Sequence, residues 1–202
     1  MKLLLCAIAG YLLGSISVSI LVTKYIFHAD LRQQGSGNAG ATNAARVYGL
    51  GAGVLTFAGD FAKSILAMLL GRGLGGVMGL AVGGAACLLG HCFPVYFKFK
   101  GGKGIAVAVG CLFVTFGVMG ALLEIAVFAV VVAISRFVSA GSLAAAIVCP
   151  IFAAYYFLFQ VFDPIAWVLC LVTALVVIWA HRGNIHRLAT GTERRIGDKA
   201  KE

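Results

Sequence analysis

Between Ile105 and Phe137 the chain has no acid except Glu124 and no base before Arg136. Such a run has no polar face to turn toward water. In a bilayer, about 20 apolar residues suffice to cross as a helix. The run is too long for one untilted span and short for two, so it reads as two compact spans turning near Gly117 to Gly120.

Apolar runs of the same kind fill residues 3–26, 50–70, 74–90, 143–162 and 165–180. With 61% hydrophobic residues, 11% charged residues and a mean hydropathy of +1.02, a soluble domain is excluded. The 202 residues are also too few for two domains, and the reading is one membrane-embedded domain over residues 1–202. The predicted fold is an all-α polytopic membrane protein with seven transmembrane helices, N-terminus outside and C-terminus inside. Turns are expected at residues 72–76 and at Asp163-Pro164. In this topology every Lys and Arg falls on the inner side except Lys2, Arg72 and the intramembrane Lys63, as the positive-inside rule requires. The net charge of +9 therefore reads as membrane orientation, and no nucleic-acid partner is expected. Ser15, Ser17, Ser19 and Thr23 fall near one side of the first span, as suits close helix packing. The six cysteines form no C-x-x-C and read as buried thiols. Nothing resembles a cleavable leader, because residues 3–26 are long enough to stay in the bilayer.

Polar residues collect in four segments, all assigned to the cytoplasmic side. The first is a polar island, Gly35-Ser36-Gly37-Asn38-Ala39-Gly40-Ala41-Thr42-Asn43-Ala44-Ala45-Arg46-Val47-Tyr48-Gly49. Its small residues allow close backbone approach, while Ser36, Asn38, Thr42, Asn43 and Arg46 supply hydrogen bonds. The string also satisfies G-x-G-x-x-G, but its flanks are membrane spans rather than a strand and a helix of a βαβ unit. Next comes Phe97-Lys98-Phe99-Lys100-Gly101-Gly102-Lys103-Gly104, which lacks the first glycine and the final Ser or Thr of a Walker loop. Ser139-Ala140-Gly141-Ser142 is expected to form a small hydroxylated turn. The tail opens with His181-Arg182-Gly183-Asn184.

Among these, Arg46 and Lys103, with Arg182 nearby, suit a phosphate, and Gly37, Gly40, Gly101, Gly102, Gly104, Ser139 and Ser142 suit a cradle around it. His181 suits a general base or a hydrogen-bond partner of phosphate. His181 and His186 are poorly spaced for a shared metal and have no cluster of acids, so neither a metal nor a cofactor is expected. Asp60 and Lys63, an i,i+3 pair inside a span, should neutralise each other on a face turned to the bundle interior or to the cytoplasmic vestibule.

Three motifs together resemble a known family: Gly35-Ser36-Gly37-Asn38 with Gly40-Ala41-Thr42-Asn43 and Arg46; Gly90-His91, Phe93-Pro94 and Phe99-Lys100-Gly101-Gly102-Lys103-Gly104; and His181-Arg182, Asn184-Ile185, Arg187-Leu188 and Gly191-Thr192-Glu193. They are similar to the cytoplasmic motifs of the bacterial integral-membrane acyl-phosphate:glycerol-3-phosphate acyltransferases of the PlsY type. The resemblance covers nearly the whole chain. It departs at Ser64, Val107 and Gly183, where that family commonly has Gly, Thr and Glu.

The resemblance implies transfer of a fatty acyl group from acyl phosphate to the 1-hydroxyl of glycerol 3-phosphate, giving lysophosphatidic acid and phosphate in the bacterial inner membrane. It implies a site on the cytoplasmic side containing Ser36, Arg46, Lys103, Ser142, His181 and Asn184, with Thr42 and Asn43 adding hydrogen bonds. Its partners would be the two substrates and the lipid bilayer, with a monomer sufficient. An alternative is a small transporter of phosphate or glycerol 3-phosphate with Asp60, Lys63 and Glu124 on its path.

Overall fold

The computed structural model describes residues 1–159 and 164–198, with eight α-helices among them and no strand. They are α1 (Lys2–Gly14), α2 (Val18–Ile26), α3 (Ala41–Tyr48), α4 (Leu50–Cys92), α5 (Ile105–Ser135), α6 (Val138–Phe159), α7 (Pro164–Ala180) and α8 (Arg182–Ala189). Among the described residues, four helical stretches can cross a membrane by length and composition: Lys2–Ile26, Leu50–Phe97, Ile105–Ser135 and Val138–Tyr155. The pair α7 and α8, bent by 57°, makes a fifth candidate. Leucine, valine and isoleucine side chains such as Leu4, Leu70, Val130, Ile134 and Leu175 point outward on these helices. A bilayer, not water, is the solvent that such an outer surface suits.

The first span is not one helix, contrary to its unbroken apolar pattern. It breaks at Ser15 to Ser17, where Ser17 is extended (φ −84°, ψ 97°). Breaking a membrane helix frees carbonyl groups that need new partners. Here the Lys63 ammonium donates to the carbonyls of Gly14 (2.9 Å) and Ile16 (2.7 Å). Lys63 also contacts Asp60 Oδ1 at 2.7 Å and His91 Nδ1 at 3.1 Å. All three side chains are buried, so the i,i+3 pair read from the sequence faces inward and has acquired a third member.

Glycines decide the course of α4 and α5. In α4 the backbone leaves helical geometry at Gly75 and Gly76, where Gly76 has φ 62°, within the expected turn at residues 72–76. A Cβ on Gly71 would lie 2.1 Å from the Gly79 carbonyl oxygen, and one on Gly83 would lie 2.6 Å from that of Ala67. The two halves therefore pack antiparallel at a separation only glycine permits. Helix α1 runs parallel to the second half, with Gly10 against Gly83 and Gly14 against Cys87. In α5 the reversal falls at Gly117 (φ 69°), again in the expected interval. Ala67, Met68, Cys87, Leu88, Val107, Leu169 and Val177 form the main core under the polar segments. All six cysteines are buried and free, as their apolar settings suggested.

One expected turn differs. Ser139-Ala140-Gly141-Ser142 is not a turn but the first part of α6, because the chain already turns at Arg136, which adopts a left-handed conformation (φ 63°). Of the Asp163-Pro164 turn, Asp163 lies outside the described residues, and Pro164 opens α7.

Candidate active site

The polar segments are tied together before any ligand is considered. Asp30 accepts from the Arg32 backbone N–H and side chain, which holds its carboxyl below the usual range, and Arg32 Nη1 reaches the Phe97 carbonyl at 3.0 Å. Asn38 Nδ2 donates to the Gly101 carbonyl at 3.4 Å. Asn43 organises the first loop from within. Its Nδ2 faces the carbonyls of Leu31, Gln34 and Asn38, and its Oδ1 accepts from the Ser36 N–H at 2.9 Å. Asn43 is buried and its amide is spent on the backbone, so it shapes the loop rather than offering a free group to a ligand.

Asn38 and Asn43 also line a cavity of about 770 Å³. Of the residues expected at a site, Ser36, Asn38, Gly40, Thr42, Asn43, Arg46, Lys103, Gly104, Ser139, Ser142, His181 and Asn184 line it. Gly37, Gly101 and Gly102 do not. Gly37 (φ 71°) makes the turn of the first loop. Gly101 and Gly102 lie flat against the end of α4, where added Cβ atoms would come within 2.0 Å of the His91 carbonyl oxygen and 2.1 Å of His91 Nε2. Arg182 is also absent from the lining and stacks on Trp179, with its guanidinium 3.8 Å from the ring centroid.

Three helices begin at this cavity. Gly40, Ala41 and Thr42 open α3, Gly104, Ile105 and Ala106 open α5, and His181 and Asn184 stand at the start of α8. Helix starts present unpaired N–H groups and partial positive charge, which favour an anion. Arg46 has no ion-pair or hydrogen-bond partner among the described residues, leaving its fork free for a phosphate.

Lys103 donates to Asn184 Oδ1 at 2.5 Å. Asn184 Nδ2 donates to Glu193 Oε1 at 2.6 Å, Ser139 Oγ donates to the same oxygen at 2.7 Å, and Arg187 Nε donates to Oε2 at 2.7 Å. Burial alone would raise the Glu193 carboxyl, but these three donors hold it below its ordinary value. Burial pushes the Lys103 ammonium down to about 8, with Arg187 and Arg46 adding repulsion. Glu193 and Arg187 were legible in the third motif without an assigned task, and only their convergence on Asn184 reveals one.

His181 is buried, and its Nδ1 lies 2.8 Å from the Val177 carbonyl oxygen. A carbonyl only accepts, so Nδ1 carries the proton. Burial pushes the imidazole down to about 4, leaving it neutral with Nε2 as an acceptor. Such a ring receives a hydroxyl hydrogen and does not donate to phosphate. The hydroxyl hydrogens of Ser139 and Ser142 are also committed, to Glu193 and to the Val138 carbonyl. The Ser36 and Thr42 hydroxyls have no partner among the described residues.

The same lining also has an apolar part, which includes Phe57, Ile105, Val109, Ile125, Phe128 and Ala145. One cavity thus joins an anion site to a hydrocarbon surface. Among known proteins, glycerol-3-phosphate acyltransferases of Burkholderia pseudomallei (strain 1710b) and Burkholderia cenocepacia (strain HI2424) are 42% and 40% identical to the whole of this chain, covering 98% and 94% of their own lengths. Two crystal structures of PlsY, described as an integral membrane glycerol 3-phosphate acyltransferase, are similar over 98% of this chain and 96% of theirs. The glycerol 3-phosphate form has a TM-score of 0.84 at 38% identity, and the lysophosphatidic acid form 0.82 at 36%. Residues 4–191 match the model of the glycerol-3-phosphate acyltransferase family, and the chain belongs to that family.

Proposed function

We propose that the protein transfers an acyl group from acyl phosphate to the 1-hydroxyl of glycerol 3-phosphate, releasing lysophosphatidic acid and inorganic phosphate. The observation that carries this reading is the cavity whose lining combines Arg46 and Lys103 with apolar side chains such as Phe57, Val109 and Phe128. A substrate pair with two phosphates and one long hydrocarbon tail needs both surfaces. We place the protein in the bacterial inner membrane as a monomer of one domain, with seven crossing segments, the N-terminus outside and the site on the cytoplasmic side. The glycine reversals in α4 and α5 support that count.

In this mechanism Lys103 and the Ser36 loop bind the acyl-phosphate head, while Arg46 binds the phosphate of glycerol 3-phosphate. His181 Nε2 accepts a hydrogen bond from the attacking hydroxyl and orients it. The hydroxyl oxygen forms a bond to the acyl carbon, the bond from that carbon to the phosphate oxygen breaks, and the hydroxyl proton passes to a phosphate oxygen. A ring whose conjugate acid ionises near 4 is too weak to hold that proton near neutrality. The anhydride already supplies a good leaving group, so most of the acceleration comes from alignment and charge stabilisation.

Purified protein given palmitoyl phosphate should release phosphate only when glycerol 3-phosphate is present, with lysophosphatidic acid detected by mass. Phosphate release without that product would remove the assignment. The buried Asp60 and Lys63 pair supports this reading over transport, because its charges neutralise one another.

A further inference from the structure

His91 stands one residue before the end of α4 and lines the cavity at 5% exposure. The acyl transfer described above gives it no task. Its backbone carbonyl accepts from the Gly102 N–H at 3.1 Å, and its ring lies against the same glycine, where a Cβ would come within 2.1 Å of Nε2. Lys103 is the next residue of that loop.

The tautomer of the ring is set from its other side. The Lys63 ammonium has three hydrogens and makes three hydrogen bonds, to the carbonyls of Gly14 and Ile16 and to His91 Nδ1 at 3.1 Å. An ammonium only donates, so Nδ1 accepts and the neutral ring keeps its proton on Nε2. Asp60 Oδ1 does not compete for Nδ1, since at 3.4 Å it makes no hydrogen bond there. A doubly protonated ring would set an N–H against the ammonium. His181 carries its proton on Nδ1 and is the opposite tautomer. One histidine of the cavity therefore accepts through Nε2, and the other donates through it.

His91 Nε2 has no hydrogen-bond partner among the described residues, and it is not sealed, in contrast to Glu124 Oε2. An unmet N–H beside a lysine that binds phosphate is satisfied by a phosphate oxygen. We propose that His91 is a substrate-binding residue whose Nε2–H donates to an oxygen of the substrate phosphate held by the Lys103 loop. This rests on the acyltransferase reading above, which puts the acyl phosphate on that loop. The bond is made in the ground state as well as in the transition state, so its loss raises KM and leaves kcat nearly unchanged.

The test uses two amides that each keep one end of the ring. Asn reaches the Nδ1 position and still meets Lys63, whereas Gln reaches the Nε2 position and still meets the phosphate. With palmitoyl phosphate and glycerol 3-phosphate, His91→Asn should raise KM for palmitoyl phosphate about tenfold or more, the worth of a hydrogen bond to a charged group. His91→Gln should stay within about threefold of wild type for both substrates. Thermal unfolding in detergent should rank the two in reverse, His91→Gln below His91→Asn, because only Asn keeps the Lys63 contact.

A role confined to packing makes activity follow stability, so His91→Gln less active than His91→Asn overturns the proposal. Wild-type KM values in His91→Asn overturn it as well. A rise in KM for glycerol 3-phosphate instead keeps His91 as the donor and gives the loop to the acceptor's phosphate. Imidazole ¹⁵N NMR of the wild type reads the tautomer without any variant, and a proton on Nδ1 of His91 also overturns the proposal. Wild type that forms no lysophosphatidic acid from these substrates removes the acyltransferase reading itself, and the proposal with it.

Discussion

Lys103 meets the amide of Asn184 rather than the carboxylate of Glu193, which lies on the far side of that amide. A direct ion pair would neutralise the lysine, whereas the amide carbonyl fixes its position and leaves its charge for an anion. The amide orientation is determined, because the reverse would set NH₂ against ammonium and oxygen against carboxylate.

Lys103→Ala should therefore lower kcat/KM by about a hundredfold or more, the loss typical of a group that stabilises developing charge. Asn184→Asp should be nearly as damaging. It places a second carboxylate beside Glu193 and pairs the lysine directly. Steady-state kinetics with both substrates measure this, and near-normal activity in either variant would contradict the arrangement.

Activity should fall as pH rises through about 8, the value to which burial lowers Lys103. Below it the ammonium holds phosphate, and above it the neutral amine does not. Stability has the opposite sign in this range: the unfolded chain keeps its proton up to 10.5, so the native state gains stability between about 8 and 10.5 as the cost of burying that charge is relieved. Lys103→Arg, if active, should shift the alkaline limb upward, since a guanidinium stays charged throughout. A limb that does not move would assign it to another group.

No loss of activity from His181 ionisation should be seen between pH 7 and about 5, because burial keeps the ring neutral down to about 4. The unfolded ring protonates near 6.5, so stability declines as pH falls from about 6.5 toward 4. His181→Ala should reduce kcat by about 10²-fold by removing the acceptor that orients the hydroxyl, the lower end of what a positioned proton acceptor contributes. NMR titration of the imidazole gives the ionisation directly, and a midpoint near 6.5 would refute the buried neutral form.

Lys63→Met should destabilise the protein by about 3–5 kcal/mol, since it strands the Asp60 charge and uncaps the break between α1 and α2. The double change Asp60→Asn, Lys63→Met should recover part of that loss. Thermal unfolding in detergent compares them. A double variant no more stable than the single one would show that Lys63 acts on the helix break alone.

Much of the architecture is written in local sequence. Apolar runs of membrane length set the helical class, and glycines at 75, 76 and 117 mark where those runs reverse, because left-handed backbone and close helix approach both favour residues without a Cβ. The residue types around Arg46, Lys103 and Asn184 likewise announce an anion site and carry the family resemblance. Composition could not show the break at Ser15 to Ser17, because the carbonyl groups it frees are satisfied by Lys63 from another helix. Nor could it separate Gly101 and Gly102, which support the Lys103 loop against His91, from Gly40 and Gly104, which face the cavity. The protonation of His181 and the tautomer of His91 depend on which atoms surround them. Segments far apart in the chain supply those atoms, so tertiary structure alone decides what these two side chains can do.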